Sequence, residues 1–551
     1  MTARQGLAAT TTLTGGQALV RGLRTQGVDV VFGLPGVQMD WAFDALYEAR
    51  DAIRLIHARH EQALSYMADG YARVTGRPGA CLMVPGPGLL NALAGLATAY
   101  ACSSPVLCIT GQIPAAQIGK GRGLLHEIKQ QLNAADCVTK WTGSARRPEA
   151  VPGVMREAFR QLLSGHQRPV AIEIPPDVLR EAAEMPAADE PVSRTVPAPD
   201  PDAVDRAARV LGAAQRPLIF AGGGIVASDA TDALVRVAEM LEAPVLVSSN
   251  GKGAISDRHY LAEPLAAGPD LAPTADAILI VGTRFYQPSV SDWAPRDQPC
   301  VQIDIEPDEI GRNRPATVGI VADASAALTA LAERLETHNR SRPSRKDELA
   351  VFQRRMRERV NSVAPQAAYG NAIRDALPDD GIVVSEMTQV GYWSNIGFPV
   401  YRPRTYLTMG YQGALGAGYG VALGAYAGAG GRPVVLISGD GGFMYQAPEL
   451  STAVRHGLKP VAVVFNDGAY GNVKRMQKEL FGGRYIASDL LNPDFVRLAE
   501  SFGAAGRRAE SPEQLREAVG WALRQEVPVV IEVPVPAMPD MRPVLRPGYR
   551  G

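Results

Sequence analysis

Short apolar runs rich in β-branched residues alternate with amphipathic patterns along most of the chain. Residues 434–438 and 461–465 are two such runs, and each leads into a polar turn, Gly-Asp-Gly-Gly at 439–442 and Asn-Asp-Gly at 466–468. Continuous apolar runs of this length are typical of strands that are buried on both faces of a parallel sheet. Residues 447–457, between the two turns, place apolar side chains at helical spacing and end in glycine. The pattern therefore predicts a strand-helix-strand unit.

The same alternation recurs in three blocks that are separated by two polar linkers. Residues 187–201 are rich in proline and aspartate, and residues 338–344 are polar and charged, as is typical of exposed connections between compact domains. Repeated strand and helix patterns predict an α/β fold of three consecutive doubly wound parallel-sheet domains. We predict a disordered leader at 1–14, domains at 15–186, 200–337 and 360–537, and a C-terminal tail at 538–551.

The amino-acid composition argues against some classes of binding partner and indicates a cellular compartment. The 56 basic and 57 acidic side chains nearly cancel, so the chain offers no strong field for nucleic acid or for a polybasic membrane surface. No apolar stretch is long enough to span a bilayer, and the N-terminal leader lacks the apolar core of a secretory signal. The five cysteines form an odd set without metal-type spacing, as expected of buried thiols in a reducing compartment. These features predict a cytoplasmic protein with no nucleic-acid or membrane partner.

Asp440 and Asn466 are the first candidates for chemistry. In a doubly wound sheet ligands bind beyond the carboxyl ends of neighbouring strands, so both side chains are expected to face one crevice. Both supply hard oxygen ligands, and Mg²⁺ favours a few protein oxygens together with ligand phosphates. The glycines around Asp440 would let a diphosphate approach the backbone. A metal-diphosphate clamp is therefore the hypothesis; the alternative is that Asp440 only caps a helix and Asn466 only forms a turn.

The Gly-Asp-Gly sequence at 439–441 followed by Asn466 resembles the thiamine-diphosphate motif of the acetolactate synthase and pyruvate decarboxylase superfamily. This resemblance implies thiamine diphosphate and Mg²⁺ as cofactors, with Mg²⁺ held by Asp440, the Asn466 side chain and the Gly468 carbonyl. It also implies that Leu415 wedges between the two rings of the cofactor, and that the three domains are pyrimidine-binding, central and diphosphate-binding. The other residues implied to contact the cofactor in this block are Val390, Gly391, Tyr392, Gly413, Gly439, Gly441, Gly442, Ala469 and Tyr470.

The first block resembles the pyrimidine-binding domain of the same superfamily. The segment 59–63, followed by Gly-Pro-Gly at 86–88 and by Asn91, matches its cofactor-activating region. The resemblance implies that Glu61 hydrogen-bonds N1′ of the aminopyrimidine ring and that Gly86 and Asn91 contact the cofactor. Without the resemblance, Glu61 would be explained by the preference of carboxylates for helix N-termini.

Two further residues of the first block are candidates for catalysis. Gln112 ends a Thr-Gly-Gln sequence that in the superfamily lies near the reacting carbon. His126 falls where acetolactate synthases carry an Ala-Phe-Gln-Glu segment, and here the sequence at 125–127 is Leu-His-Glu. His126 is therefore a candidate acid or hydrogen-bond donor to the substrate, and a solvated loop histidine is the equal alternative.

The central block is the place where relatives differ in nucleotide binding. Its glycine turn at 222–224 follows a predicted strand, a pattern that alone is weak evidence for a nucleotide. In the superfamily this domain holds FAD in acetolactate synthases, ADP in some acyl-CoA lyases and no ligand in simpler decarboxylases. Residues 286–288 are Tyr-Gln-Pro where a flavin enzyme has Asp-Asp-Arg, so FAD is disfavoured. A nucleotide such as ADP in the central domain stays open.

The resemblance as a whole predicts an enzyme that cleaves or forms carbon–carbon bonds in 2-oxo acids or 2-hydroxy carbonyl compounds. Acetolactate synthase-like carboligation after decarboxylation is the first hypothesis, although Met476 replaces the Trp with which acetolactate synthases select the acceptor. The alternatives are a 2-hydroxyacyl(-CoA) lyase, a simple 2-oxo acid decarboxylase and, from another class, a catalytically idle nucleotide-binding or assembly protein. The resemblance also implies a homodimer, or a homotetramer built from dimers, in which each active site is shared between chains.

Overall fold

The computed structural model describes residues 10–285, 295 and 297–541 of the chain. The predictions made for residues 1–9, 286–288 and 542–551 lie outside the described residues. Within the part that is described, no helix combines the length and the apolar composition needed to cross a membrane.

The first region of the chain contains a six-stranded parallel sheet. Its elements are β1 (Thr10–Thr14), α1 (Gly15–Thr25), β2 (Val30–Gly33), α2 (Asp40–Glu48), β3 (Arg54–Ile56), α3 (Glu61–Thr75), β4 (Gly79–Met83), α4 (Pro87–Ala101), β5 (Val106–Gly111), α5 (Gln131–Asp136), β6 (Thr142–Ser144), α6 (Val151–Leu163), β7 (Val170–Ile174), α7 (Pro176–Arg180) and β8 (Ala182–Pro186). The strand order is β3-β2-β4-β5-β7-β6, and every pairing in it is parallel. Strands β2, β4, β5 and β7 are buried along their whole length, as expected when helices cover both faces of a parallel sheet.

The central region contains a second six-stranded parallel sheet. Its elements are α8 (Pro201–Ala213), β9 (Pro217–Ala221), α9 (Gly223–Ala227), α10 (Thr231–Leu241), β10 (Val245–Val247), β11 (Ala262–Glu263), α11 (Gly268–Leu271), β12 (Ala277–Val281), β13 (Cys300–Asp304), β14 (Val318–Val321), α12 (Ala324–His338) and α13 (Lys346–Asn361). The strand order is β11-β10-β9-β12-β13-β14, again with parallel pairings throughout.

The third region contains the sheet that carries Asp440 and Asn466. Its elements are α14 (Gln366–Ala376), β15 (Ile382–Ser385), α15 (Gln389–Gly397), β16 (Tyr406–Thr408), α16 (Gly418–Gly428), β17 (Val434–Gly439), α17 (Asp440–Phe443), α18 (Leu450–His456), β18 (Val461–Asn466), α19 (Gly471–Phe481), α20 (Phe495–Ser501), β19 (Ala505–Arg508), α21 (Pro512–Ala522) and β20 (Val529–Pro534). The strand order is β16-β15-β17-β18-β20-β19, with parallel pairings. The three sheets confirm the predicted α/β class of three doubly wound parallel-sheet domains.

The prediction of a disordered leader is wrong for Thr10–Thr14. These residues form β1, which pairs with β8 in an antiparallel ribbon. Threonine is β-branched and favours strands, and Leu13 packs against the core of the first sheet. Thr14 also caps α1, because its hydroxyl accepts the Gln17 N–H at 3.1 Å.

Two compact units make up the chain, and helix α3 belongs to the first of them. This unit comprises the first sheet together with residues 419–430 and 446–458 of the third region; the second unit comprises the rest. Within the first unit a Cβ added to Gly70 of α3 would lie 2.1 Å from the Val421 carbonyl oxygen. Val421 lies in α16, so only a glycine at position 70 allows α3 and α16 to approach so closely. The packing holds α3, which begins at Glu61.

Candidate active site

Asp440 and Asn466 lie at the carboxyl ends of neighbouring parallel strands. β17 ends at Gly439 and is followed by Asp440 at the start of α17, and β18 ends at Asn466. In the register of the two strands Gly439 lies opposite Phe465, so the residues that follow are side by side. The two polar side chains therefore share one edge of the sheet.

The side-chain oxygens of Asp440 and Asn466 converge on the same two donors. Asp440 Oδ2 accepts hydrogen bonds from the Gly468 N–H at 3.0 Å and from the Asn492 amide at 2.6 Å. Asn466 Oδ1 accepts from the same two groups at 3.3 and 2.9 Å. Two hard oxygens are thus held together, and this is the donor chemistry that Mg²⁺ prefers when phosphate oxygens complete its shell.

The third predicted metal ligand, the Gly468 carbonyl, lies in a tight turn. Gly468 has a φ of +65°, which glycine adopts without strain. Its carbonyl accepts the Leu490 N–H at 2.8 Å, and a carbonyl oxygen has a second lone pair. Among the residues that the structure describes, no three His, Cys, Asp or Glu side chains are grouped to hold a metal ion. A cation beside Asp440 would therefore rely on one carboxylate, neutral oxygens and a bound phosphate.

Two neighbouring carboxyl groups leave negative charge at this edge of the sheet. Asp440 is only 2% exposed, and burial raises its pKa, while hydrogen bonds from the Gly441 backbone, Asn492 and Gly468 oppose that rise. Burial, followed by the charge of Asp440, raises the pKa of Asp467 to about 6. A cation would offset the cost of this buried negative charge, so the residues present fit a metal ion.

Asn492 is a site residue that no sequence pattern indicates. It opens an Asn-Pro-Asp-Phe sequence whose Asp494 caps α20 by accepting the Val496 and Arg497 N–H groups at 3.0 and 3.1 Å. Locally this sequence signals a helix start, and nothing in it points to Asp440, which lies 52 positions away. The Asn492 amide orients both oxygens, which is the usual role of groups that hydrogen-bond metal ligands.

A cavity of about 240 Å³ opens beside Asp440. Its walls combine glycine backbone with apolar and aromatic side chains, a composition typical of cofactor sites. The predicted cofactor-contact residues that line it are Tyr392, Gly413, Leu415, Gly439, Asp440, Gly441, Gly442, Ala469 and Tyr470. Most of the predicted diphosphate wall is therefore brought together in one place.

Val390 and Gly391 do not line this cavity. Val390 is fully buried in the core of the third sheet, and a Cβ on Gly391 would lie 2.1 Å from the Glu386 carbonyl oxygen. Residues 387–389 line the cavity instead. The reason is local: α15 begins at residue 389, so Val390 and Gly391 already lie within the helix and pack against the sheet.

Glu386 is a second site residue that the sequence does not single out. Its carboxylate is 2% exposed and accepts the Gly416 N–H at 2.5 Å and the Ser438 hydroxyl. A Cβ on Gly442 would lie 2.8 Å from its Oε1, and one on Gly418 would lie 2.6 Å from its Oε2. Burial raises the pKa of this carboxyl, and hydrogen bonds, chiefly from Ser438, oppose that rise. Glu386 thus fixes the glycine-rich wall of the cavity.

Glu61 opens α3 in the first compact unit. The Asn91 amide donates to Glu61 Oε2 at 3.0 Å, so two predicted site residues are in contact. The backbone just before Glu61 is fixed by Glu449, a carboxylate only 2% exposed that accepts the Arg59 and His60 N–H groups at 3.0–3.1 Å. No sequence pattern could reveal this contact, because 390 positions separate Arg59 from Glu449.

Gly86 and Gln112 meet in one buried network. Gly86 has a φ of +60°, and its N–H donates to Gln131 Oε1 at 2.9 Å. Gln131 and Gln112 donate through their amide nitrogens to Glu173 Oε2 at 3.1 and 2.8 Å. Gln112 Oε1 in turn accepts the Ile113 N–H at 2.8 Å. Both ends of the Gln112 amide are therefore engaged within the protein, and a direct contact with substrate would require one of these bonds to break.

His126 lies half-buried in the loop between β5 and α5. Its Nδ1 lies 3.0 Å from Gln38 Oε1. A Cβ on Gly86 would lie 2.3 Å from the His126 carbonyl oxygen, so the predicted catalytic histidine and the predicted cofactor-binding glycine are direct neighbours.

Three family models match this chain. They describe thiamine pyrophosphate enzymes: the N-terminal TPP binding domain at residues 13–135, the central domain at 204–331 and the C-terminal TPP binding domain at 386–533. The chain belongs to the thiamine pyrophosphate enzyme family. The three models fall on the three parallel sheets in the same order, and they confirm thiamine diphosphate as the cofactor.

Relatives of this thiamine pyrophosphate enzyme match nearly its whole length. A probable acetolactate synthase large subunit of Methanocaldococcus jannaschii is 31% identical over 97% of this chain and 94% of its own. A probable 2-ketoarginine decarboxylase, AruI, of Pseudomonas aeruginosa is 36% identical over 95% of this chain and 94% of its own. An acetolactate synthase of Mycobacterium bovis is 32% identical over 97% of this chain and 90% of its own. The prediction of an acetolactate synthase-like enzyme of the carboligase and decarboxylase class is confirmed.

We expect Gly442→Ala to lower both the stability of the protein and its affinity for thiamine diphosphate. The added methyl would lie 2.8 Å from the buried Glu386 carboxylate, and overpacking of this kind costs about 1–3 kcal/mol. Gly520→Ala is the matched control, because an added Cβ there meets no atom within 4 Å. Urea denaturation and cofactor titration check the expectation; equal midpoints and equal Kd values for the two variants would contradict it.

Proposed function

We propose that this chain is a thiamine-diphosphate- and Mg²⁺-dependent enzyme that decarboxylates a 2-oxo acid and transfers the remaining acyl unit to an acceptor carbonyl compound, as acetolactate synthases do. The observation that carries the proposal is the convergence of Asp440 Oδ2 and Asn466 Oδ1 at a glycine-rich edge of a parallel sheet. Decarboxylation without transfer is the second candidate. It is favoured by the 36% identity to a probable 2-ketoarginine decarboxylase and by Met476 in place of the acceptor-selecting Trp.

In this proposal Asp440, Asn466 and the Gly468 carbonyl would hold Mg²⁺, and the glycine-rich backbone at 439–442 would bind the diphosphate. Bound thiamine diphosphate supplies a carbon nucleophile for the substrate carbonyl and accepts the electron pair released with CO₂. The protein contributes binding, orientation and exclusion of water. Leu415 and Tyr470, which line the cavity, are the apolar surfaces that would support and shield the rings.

Glu61 is the residue that would hold a proton opposite N1′ of the aminopyrimidine ring. The Asn91 amide orients its carboxylate, and Glu449 fixes the backbone from which it projects. A general acid or base that is positioned in this way typically contributes about 10²–10⁴-fold to the rate. The backbone contacts around Glu61 therefore support a catalytic role rather than a helix-capping role alone.

A second copy of the chain would complete each active site, in a homodimer or in a dimer of dimers. Glu61 and Asp440 belong to different compact units. Helix α19, which follows the Asn-Asp-Gly turn, has no buried residue and exposes four apolar side chains by 43% to 61% along one face: Val473, Met476, Leu480 and Phe481. An exposed apolar face of this kind is typical of a protein–protein interface and supports self-association.

Combining two inactive variants tests the shared site. We expect Glu61→Gln and Asp440→Asn each to lose most activity. Coexpressed, they should recover about a quarter of the wild-type activity, because half of randomly formed dimers are mixed and each mixed dimer holds one intact site. Sedimentation measures the oligomeric state of the same samples. A fully active monomer, or mixed dimers without activity, would contradict the shared site.

Product analysis tests the proposed reaction. With thiamine diphosphate and Mg²⁺ present, we supply pyruvate, longer 2-oxo acids and a 2-oxo acid with a guanidino group, and we expect CO₂ release from at least one of them. One CO₂ for two substrate molecules, with a 2-hydroxy-3-oxo acid product, indicates transfer, whereas one CO₂ and one aldehyde for each substrate molecule indicates simple decarboxylation. Bound cofactor without CO₂ release from any of these acids would contradict the proposal and favour an idle protein.

A further inference from the structure

Gln38 binds both the backbone and the side chain of the loop that carries His126. It lies in the turn after β2 and is 7% exposed. Its amide nitrogen donates to the Leu125 carbonyl oxygen at 3.0 Å, and its Oε1 lies 3.0 Å from His126 Nδ1. A carbonyl oxygen can only accept a hydrogen bond, so the amide nitrogen must face Leu125 and the amide oxygen must face His126. Nδ1 of His126 must therefore carry a proton.

We infer that Gln38 is a positioning residue that makes His126 Nε2 the only ring atom that gains and loses a proton. In a neutral imidazole one nitrogen donates and the other accepts, so a proton held on Nδ1 leaves the lone pair on Nε2. In the charged ring Nδ1–H still donates to Gln38, and Nε2 becomes a donor as well. Protonation therefore changes the chemistry of one atom without turning the ring.

The loop around His126 is built to hold this arrangement. His126 has a φ of +67°, a left-handed conformation that is unfavourable for a non-glycine residue and persists only where neighbours enforce it. Glu127 enforces it from one side. Its carboxylate accepts the Leu124 N–H at 2.9 Å, and its own N–H donates to the Leu124 carbonyl oxygen, also at 2.9 Å. In the described part of the chain no residue hydrogen-bonds His126 Nε2. That nitrogen is free to face a ligand.

The inference deepens the proposed function and rests on it for the identity of the ligand. In a 2-oxo acid the groups that exchange a hydrogen bond or a proton are the carboxylate and carbonyl oxygens. The charged ring would donate its Nε2 proton to the substrate carbonyl oxygen as that oxygen becomes a hydroxyl. The neutral Nε2 would accept the same proton when the carbonyl re-forms, so the ring ends as it began and no net proton is gained or lost by the protein. The loop that carries His126 lies directly against Gly86, which is a predicted cofactor-binding residue.

Nitrogen NMR of histidine-labelled holoenzyme tests the inference. The His126 signals are assigned by their loss in His126→Gln, and the tautomer is measured with and without thiamine diphosphate and Mg²⁺ at a pH where the ring is neutral. We expect a pyrrole-type Nδ1 and a pyridine-type Nε2 in the wild type. In Gln38→Leu we expect a shift towards the Nε2–H tautomer and a loss of kcat of about 10²-fold or more. His126→Gln should lose as much, and the double variant no more.

Two further variants separate the effect on the ring from a general effect on the loop. Gln38→Glu keeps an acceptor for Nδ1–H but cannot donate to Leu125, so it should retain the wild-type tautomer even if stability falls. Gln161→Leu is the matched control, because the Gln161 amide donates to Glu157 at 2.8 Å, outside this loop, and it should change neither tautomer nor kcat.

Specific results would overturn the inference. They are an Nε2–H tautomer in the wild type, an unchanged tautomer in Gln38→Leu, or losses of kcat that add in the double variant. The wild-type and Gln38→Glu spectra decide the matter if Gln38→Leu does not fold. A wild-type enzyme with the expected tautomer but no turnover of any 2-oxo acid would count against the proposed function; turnover with the opposite tautomer would count against this inference alone.

Discussion

The proposed active site depends on two side-chain oxygens, Asp440 Oδ2 and Asn466 Oδ1, which are held close together at the ends of adjacent parallel strands. A carboxylate that is 2% exposed is costly unless donors or a cation compensate it. Asn492 and the Gly468 turn provide the donors for Asp440, and the register of β17 and β18 places Asn466 beside it. The glycines that follow Asp440 keep the surrounding backbone within reach of a ligand. The pairing lies at the edge of the cavity whose glycine-rich wall is fixed by Glu386.

Three buried glutamates hold the segments that surround the site. Glu386, Glu449 and Glu173 are exposed by only 2%, 2% and 1%. Each accepts N–H or O–H groups from a segment beside a predicted site residue: the glycine-rich stretch at 413–418, the backbone before Glu61, and the network behind Gly86. Glu386 and Glu449 therefore anchor backbone N–H groups, and Glu173 anchors the side chains of Gln112 and Gln131. These contacts support the proposal that Glu61 and Asp440 are the carboxylates that take part in the chemistry.

Local periodicity was sufficient to predict the parts of the site that lie at strand ends. Apolar runs stop where Gly439 and Asn466 begin the polar turns, so the position of Asp440 followed from the sequence. Asn492 and Glu449 could not be predicted in the same way, because their partners lie 52 and 390 positions away and the contacts exist only in the folded chain. The strand Thr10–Thr14 was missed for the same reason, since its partner β8 begins only at residue 182.

Binding of thiamine diphosphate as a function of Mg²⁺ tests whether Asp440 holds the diphosphate through a metal ion. Calorimetric titration compares the wild type with Asp440→Asn and with Asp380→Asn, a matched change at an exposed carboxylate. We predict that the wild type and Asp380→Asn bind the cofactor only when Mg²⁺ is present, and that Asp440→Asn binds it much more weakly, because the carboxylate proposed to hold the metal ion is lost. Tight binding without Mg²⁺, or equal affinity in Asp440→Asn and the wild type, would show that Asp440 does not hold the diphosphate through a metal ion.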